Sequence, residues 1–327
     1  MLIDRYRRLI KSVCFATLLC CCINVSFAQS RDSRFLTPSD TLIKNRLYLV
    51  AGSWTAIYGT ALVGLDYAWY QQYERVPFHS FNDWPEWNQM DKAGHVWTAY
   101  METRWTAQAL KWSGVKPSVA DAAAAGTGLL FQTTLEMLDA GSAKWGFSWS
   151  DMGANVVGTA LHFAQEKFWQ EQRIAVKFSF HPVDYSRRLP TSYNKNIHQR
   201  VDNLFGETLI EKTLKDYNGQ TYWISVNPHS FADAFKPTWL NIAVGYGSHR
   251  MLGGVRNKWL TNGTSHDYTF IEREREFYLS PDIDFTKIPT KSPVLKTMFE
   301  LLNVVKFPAP ALMMNDRGKV TFQPLYF

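Results

Sequence analysis

Cysteine is missing from nearly the whole chain: all four, Cys14, Cys20, Cys21 and Cys22, lie in the first 28 of 327 residues. Beyond that point there can be no disulfide, no thiolate nucleophile and no cysteine metal ligand. Charge is also sparse, at 20% of residues against 46% hydrophobic, which excludes a wholly disordered chain and implies a real core. No internal repeat or low-complexity tract is evident. Nucleotide loops are absent too, because Gly126-Thr127-Gly128 lies in an alanine-rich helical stretch without a preceding strand or a phosphate-binding lysine. No Gly-x-Ser-x-Gly elbow, zincin helix or EF-hand loop occurs.

The cysteine-bearing segment has its own logic. Arg5, Arg7, Arg8 and Lys11 precede an apolar run from Val13 to Ile23, and Ser26-Phe27-Ala28 offers a small-x-small cleavage site. Residues 1–28 therefore read as a signal peptide, since the apolar run is short of the roughly 20 residues that span a bilayer. Lipid attachment at one of these cysteines would need a small residue before it, and Leu19, Cys20 and Cys21 are poor there. Loss of the leader leaves +3 of the formal +6 charge, so the basic balance is no nucleic-acid footprint.

Aromatics are abundant: 13 Trp, 15 Tyr and 21 Phe, many at the ends of apolar runs, which suits a membrane interface; a Trp-rich soluble core or a glycan-binding surface would have the same composition. After a polar leader over 29–46, the 19 residues Leu47 to Leu65 hold no charge. They suit either a spanning helix or the central helix of a buried bundle, with Ala56, Gly59, Ala61 and Gly64 allowing close approach. Three more helices follow: Met90 to about Trp112, one capped by Ser118 and ended by Gly141, and one capped by Ser148 or Ser150 that runs to about Gln170. Short connections argue for an antiparallel bundle over 47–172.

From residue 173 the period changes to two. Ile174, Val176, Phe178 and Phe180 alternate with Ala175, Lys177 and Ser179, the pattern of a half-buried strand. Further strands are expected at Thr221 to Val226, Trp239 to Tyr246, Phe277 to Phe285 and Val320 to Phe327, with Asn218-Gly219 and Asn262-Gly263 as turns. Two helices are expected near Val201 to Leu214 and Val294 to Leu302. The class is α+β: an N-terminal antiparallel helical bundle of about four helices, then an antiparallel β-sheet unit over 173–327. The terminal Leu325-Tyr326-Phe327 resembles the end of an outer-membrane barrel strand, although Gln323 and Pro324 break the alternation. Arg187-Arg188 and the run Glu272 to Glu276 read as solvated or cross-strand paired charge, and His229 and His249 have no evident partner.

The chemistry lies on the helices. At 100° per residue, Asp91, His95 and Glu102 fall within about 40° of one another, and so do Asp151, Asn155 and His162. Lys92, Glu136 and Asp139 complete a polar cluster on otherwise apolar helices. Buried unpaired charges cost several kcal/mol each, so such groups must pair, bind or react. A catalytic reading uses His95, Glu136 and Asp151 for acid and base work, with Lys92 steadying an anion. The alternative is structural: Asp91 and Asp151 favouring helix N-termini, Asn155 bonding a neighbouring helix, and His95 paired with Glu136 or Asp151. His162 is expected at a rim. Gly94 and Gly158 are expected at helix contacts. The ligand types would allow a metal, but Glu-x-x-His is absent, so neither a metal nor a cofactor is expected.

Asp91-Lys92-x-Gly94-His95, then Glu136-x-x-Asp139, then Ser148-x-x-Asp151-x-x-x-Asn155-x-x-Gly158 resembles the YfiM-type envelope lipoproteins. It is also distantly similar to the VanZ-like membrane proteins. The likeness covers roughly Trp84 to Phe168, with Tyr217 to Gly254 similar to longer bacterial members. It implies an envelope address and no assigned reaction. The expectation is thus an exported protein of the periplasm or outer membrane, membrane-associated, of structural or interaction type, with lipid or envelope proteins as partners and no nucleic acid. The alternative is a lipid- or glycan-modifying hydrolase or transferase.

Overall fold

A computed structural model describes residues 35–185, 194–261 and 263–327. The expected signal peptide, the start of the polar leader, the Arg187-Arg188 pair and Asn262 lie outside the described residues. The fold is α+β, with seven helices among the described residues and a six-stranded antiparallel sheet.

Helix α1 (Lys44–Leu65) continues into one π-helical turn, Asp66–Tyr70. It is not the central helix of a buried bundle. Only Val50 is buried on it, Tyr58 stacks on Phe131 at 4.3 Å, and a Cβ at Gly52, Gly59 or Gly64 would meet nothing within 4 Å. Gly59 and Gly64 therefore serve no close helix contact here.

Helices α2 (Met90–Trp112), α3 (Pro117–Ala140) and α4 (Trp149–Phe168) pack closely together. Proline at N1 starts α3, so Lys116 rather than Ser118 is its N-cap, because a ring that fixes φ and lacks an N–H suits that place. Ser148 caps α4 by accepting from the Asp151 N–H at 3.0 Å. Gly158 lets α4 ride on α2: a Cβ there would stand 2.2 Å from the Val96 carbonyl oxygen. Gly94 faces the Tyr222 ring instead.

Three consecutive residues with left-handed φ lead into α2: Trp87 at 48°, Asn88 at 51° and Gln89 at 62°. Non-glycine residues hold such angles only when neighbours fix them. Asn88 Nδ2 donates to Ser248 Oγ at 2.8 Å, the Tyr246 hydroxyl donates to the Asn88 carbonyl, and Arg275 donates to Gln89 Oε1 at 2.9 Å. Strands thereby set the start of α2, where Asp91, Lys92 and His95 stand.

The sheet runs β1 (Ile174–Phe180), β2 (Gln220–Val226), β3 (Leu240–His249), β6 (Glu274–Ile283), β7 (Ala309–Asn315) and β8 (Val320–Tyr326), in that order. A separate hairpin pairs β4 (Lys258–Thr261) with β5 (Thr264–Asp267). Neither β7 nor the two strands of this hairpin has the apolar–polar alternation that marks a strand in the sequence, although the Asn262-Gly263 turn signal falls between β4 and β5. The helix expected near 201–214 is two, α5 (Asn194–Phe205) and α6 (Leu209–Lys215), because Gly206 takes φ +83° and Thr208 with Glu211 opens a new capping box. Helix α7 (Pro293–Leu302) precedes β7.

The sheet's polar face is the buried one. Lys177 is 0% exposed and pairs with Asp282 at 2.8 Å, and His249 meets Glu276 at 2.5 Å. The Glu272 to Glu276 run is thus not wholly solvated, and His249 has its partner. The apolar side of β1 is covered by α2, where Val176 packs on Tyr100 and Met101.

Candidate functional site

Three carboxylates converge on one ammonium. Lys92 Nζ lies 2.5 Å from Asp83 Oδ2, 2.7 Å from Asp151 Oδ1 and 3.1 Å from Asp91 Oδ2. The opposite oxygen of Asp83 accepts from Ser148 Oγ at 2.6 Å and Ser150 Oγ at 2.7 Å. The loop before α2, the first turn of α2 and the first turn of α4 are thus clamped to one another. Burial alone would lower the Lys92 ammonium, but Asp91, Asp151 and Asp83 hold it well above its ordinary value. Burial would raise Asp83, and its bonds with Asp151, Lys92, Ser148 and Ser150 instead hold it far below the usual carboxylate range.

His95, one turn along α2, completes the floor. Its Nδ1 lies 3.0 Å from Asn155 Oδ1 on α4; an amide oxygen only accepts, so Nδ1 carries a proton and donates. Nε2 then faces Asp151 Oδ1 at 3.7 Å and Asp91 Oδ1 at 3.9 Å. Burial opposes charge on the ring, yet Asp91, Asp151 and Glu136 raise its pKa above the ordinary value. The two aspartates differ. Asp151 is pushed up to about 8, by burial first and then by Asp91. Asp91 is held below its usual value: burial works against ionisation, but His95, Lys92 and the Tyr217 hydroxyl, which donates at 2.7 Å, outweigh it.

Behind them, Glu136 is 1% exposed; one oxygen accepts from the Ser148 N–H at 3.1 Å, and Oε1 has no hydrogen-bond donor. Burial raises it to about 7. Asp139 accepts from the Tyr70 hydroxyl at 2.8 Å and is raised to about 6 by burial.

These groups line a cavity of about 470 Å³ that includes Asp83, Asp91, His95, Asp139 and Asp151, with Phe81, Trp87, Trp145, Tyr70, Tyr217 and Tyr222 as aromatic walls. One donor atom each of Asp91, His95 and Asp151 lies within 4.8 Å of the others, so these three could hold a metal ion, in competition with the Lys92 ammonium already seated there.

Asp91, Lys92, His95, Asp139, Asp151 and Asn155 are therefore brought together, with Glu136 behind Ser148. Glu102 is not among the lining groups: about 10 Å further along α2, it accepts from Gln132 at 3.0 Å. His162 is no rim residue. It is 2% exposed, with its ring edge-on to Tyr100 at 5.8 Å, because α4 turns that face toward α2. Sequence reasoning missed Asp83, Tyr70 and Tyr217. The first two sit in or before an aromatic-rich loop with no periodic signal. Tyr217 lies in the segment Tyr217 to Gly254 that shares the family likeness, which could have flagged it.

Residues 81–166, which hold most of this cluster, match the model of a family described as a predicted periplasmic lipoprotein (DUF2279). No curated protein and no solved structure matches the chain. The match and the site it encloses describe an exported protein of the cell envelope, periplasmic or membrane-associated, similar to a lipoprotein family without an assigned reaction.

Proposed function

We propose that the chain is an envelope hydrolase or transferase that moves protons through His95, Asp91 and Asp151 on a glycan-bearing substrate. The observation that carries this reading is the placement of His95 in one cavity with two carboxyl groups that burial and neighbouring charge push in opposite directions, Asp151 up and Asp91 down. Environments that push two acids apart create an acid and a base in one site. His95 stands within reach of both. Aromatic walls beside acidic groups suit sugar rings and hydroxyls better than an anionic headgroup. Glu136, raised to about 7, stands behind as a further proton acceptor.

A second reading, a structural or interaction role, is favoured by Lys92, whose three carboxylate partners satisfy much of the cluster internally. Cleavage of the leader as a signal peptide, residence in the outer membrane, and kinship to the YfiM-type and VanZ-like proteins belong to the same proposal. So do lipid or envelope proteins as partners.

The test incubates the purified full chain with fractionated envelope glycans and glycolipids and follows sugar release or transfer by mass spectrometry. Turnover should fall at least about a hundredfold in Asp151→Asn and His95→Gln while both stay folded. If wild type turns over no fraction and the variants lose only stability, the enzyme reading fails and the structural one stands.

A further inference from the structure

The sheet is built inside out. Along β6, buried Glu276, Tyr278, Ser280 and Asp282 alternate with exposed Phe277, Leu279 and Pro281. Strand registers carry the exposed row sideways: Ile224, Val244, Leu279, Leu312 and Phe322 stand abreast on five neighbouring strands. They are 52, 54, 49, 48 and 59% exposed. A second row holds Tyr246, Phe277, Met314 and Val320, and a third Ile242 and Pro281. The first charge on this face comes at the rim, where Arg275 lies opposite Ser248. Helix α2 covers the face at β1 and β2, where Trp97 meets Phe178 and Tyr222, and its start reaches one end of β3, where the Tyr246 hydroxyl donates to the Asn88 carbonyl.

A sheet folded in water turns its apolar side to the core and leaves charges outside. Here the interior holds, beside a cluster of Trp223, Ala243, Tyr278 and Ala311, the pairs Lys177 with Asp282 and His249 with Glu276, and Ser225 donating to Asp282 at 2.7 Å. Polar groups inward and an apolar exterior are the arrangement of strands that meet hydrocarbon; because this sheet is open, only its face and not its edges can be seated there. Among the described residues the uncovered face is about 20 Å tall and about as wide, on the order of 400 Å², the size of the largest and often functional apolar patches on soluble monomers.

Helix α1 supplies an independent observation. Its 19 residues from Leu47 carry no charge, and Leu49, Ile57 and Val63 are 52, 51 and 71% exposed. At 1.5 Å per residue its 22 residues reach about 33 Å, the thickness of a bilayer core. Lys44 and Arg46 stand at one end and Asp66 at the other.

We propose that the outer face of β2, β3, β6, β7 and β8 is seated in the hydrocarbon of a membrane, with lipid acyl chains as its occupant. This does not rest on the reading of the polar site. The absence of thiols beyond residue 28 makes the test direct. With Cys14, Cys20, Cys21 and Cys22 changed to serine, single cysteines replace Val244, Leu279 and Leu312 on the outer face, Ala243 and Ser280 on the inner, and Asp267 as an aqueous reference. Each full chain is nitroxide-labelled, reconstituted into phosphatidylethanolamine–phosphatidylglycerol vesicles, and probed by collision with oxygen and with a water-soluble nickel chelate. Outer-face labels should collide several-fold more with oxygen than with nickel, and the Asp267 position should show the reverse. Nickel access at the outer face equal to that at 267 overturns the proposal. So does shielding from both reagents, which would mark a protein partner, residues 1–34 or a second copy as the cover. Unlabelled wild type must also float with the vesicles after alkaline carbonate; release into the supernatant overturns the proposal as well.

Discussion

Replacing Lys92 with methionine keeps the side chain's length and removes its charge, so it isolates what the ammonium does. The side chain is 8% exposed and has three carboxylates within 3.1 Å. Removing one partner of a buried ion pair leaves an uncompensated charge and typically costs about 3–5 kcal/mol. The cost should depend on pH in a defined direction. Asp83 and Asp91 have folded pKa values below their unfolded ones, so their contribution is present above the unfolded value, near 4, and is lost as pH falls through the folded one. Lys92 is raised, so its contribution holds below its unfolded value near 10.5 and fades only above it. Without the ammonium, the aspartates take up protons more readily, and the variant should approach wild type as pH is lowered from 8 to 5. Denaturant unfolding of both proteins in the same detergent, at pH 5, 6, 7 and 8, measures this. A loss under about 1 kcal/mol at pH 7, or a loss independent of pH, would refute the account of Lys92 as the charge that holds the cluster together.

Gly158→Ala should destabilise by about 1–3 kcal/mol, since its Cβ would stand 2.2 Å from the Val96 carbonyl, whereas Gly126→Ala, with nothing within 4 Å, should be neutral or stabilising by up to about 1 kcal/mol; paired melting curves check this. Asp282→Asn should cost about 3–5 kcal/mol by leaving buried Lys177 without its 2.8 Å partner, and the double change Lys177→Met with Asp282→Leu should recover most of that loss in the same unfolding assay. Because His95 is raised by its carboxylate neighbours, its stabilising charge is present below the ordinary value near 6.5 and is lost as pH rises through the folded one; in Asp151→Asn, side-chain nitrogen NMR should show the His95 midpoint moving down, and an unchanged midpoint would remove Asp151 as a cause.

Helix α2 was legible from Met90 to Trp112, and so were the polar seams and a cap of α4 at Ser148 or Ser150, because each depends on residues within a few turns of one another; the structure chose Ser148. Asp83 and Tyr217 were not. Asp83 meets Ser148 and Ser150 across 65 and 67 positions, and Tyr217 meets Asp91 across 126, from segments with no period to read. Glu102 and His162 share seams with the site residues, yet helical rise carries them away from the cavity; angular position on a helix says nothing about depth along it.

By itself, the sequence determined those helices and strands that carry a clear period, which of their residues share a face, and that charged groups ride on apolar helices. Periodicity is a local property, so composition and spacing suffice for it. Only the tertiary structure decided that α1 lies at the margin of the packed helices, that Lys92 gathers three carboxylates, and that the strands turn Lys177, Glu276 and Asp282 inward. An alternating strand defines two faces but does not say which one meets the core; that choice belongs to the groups brought opposite it, and here Asp282 awaits Lys177.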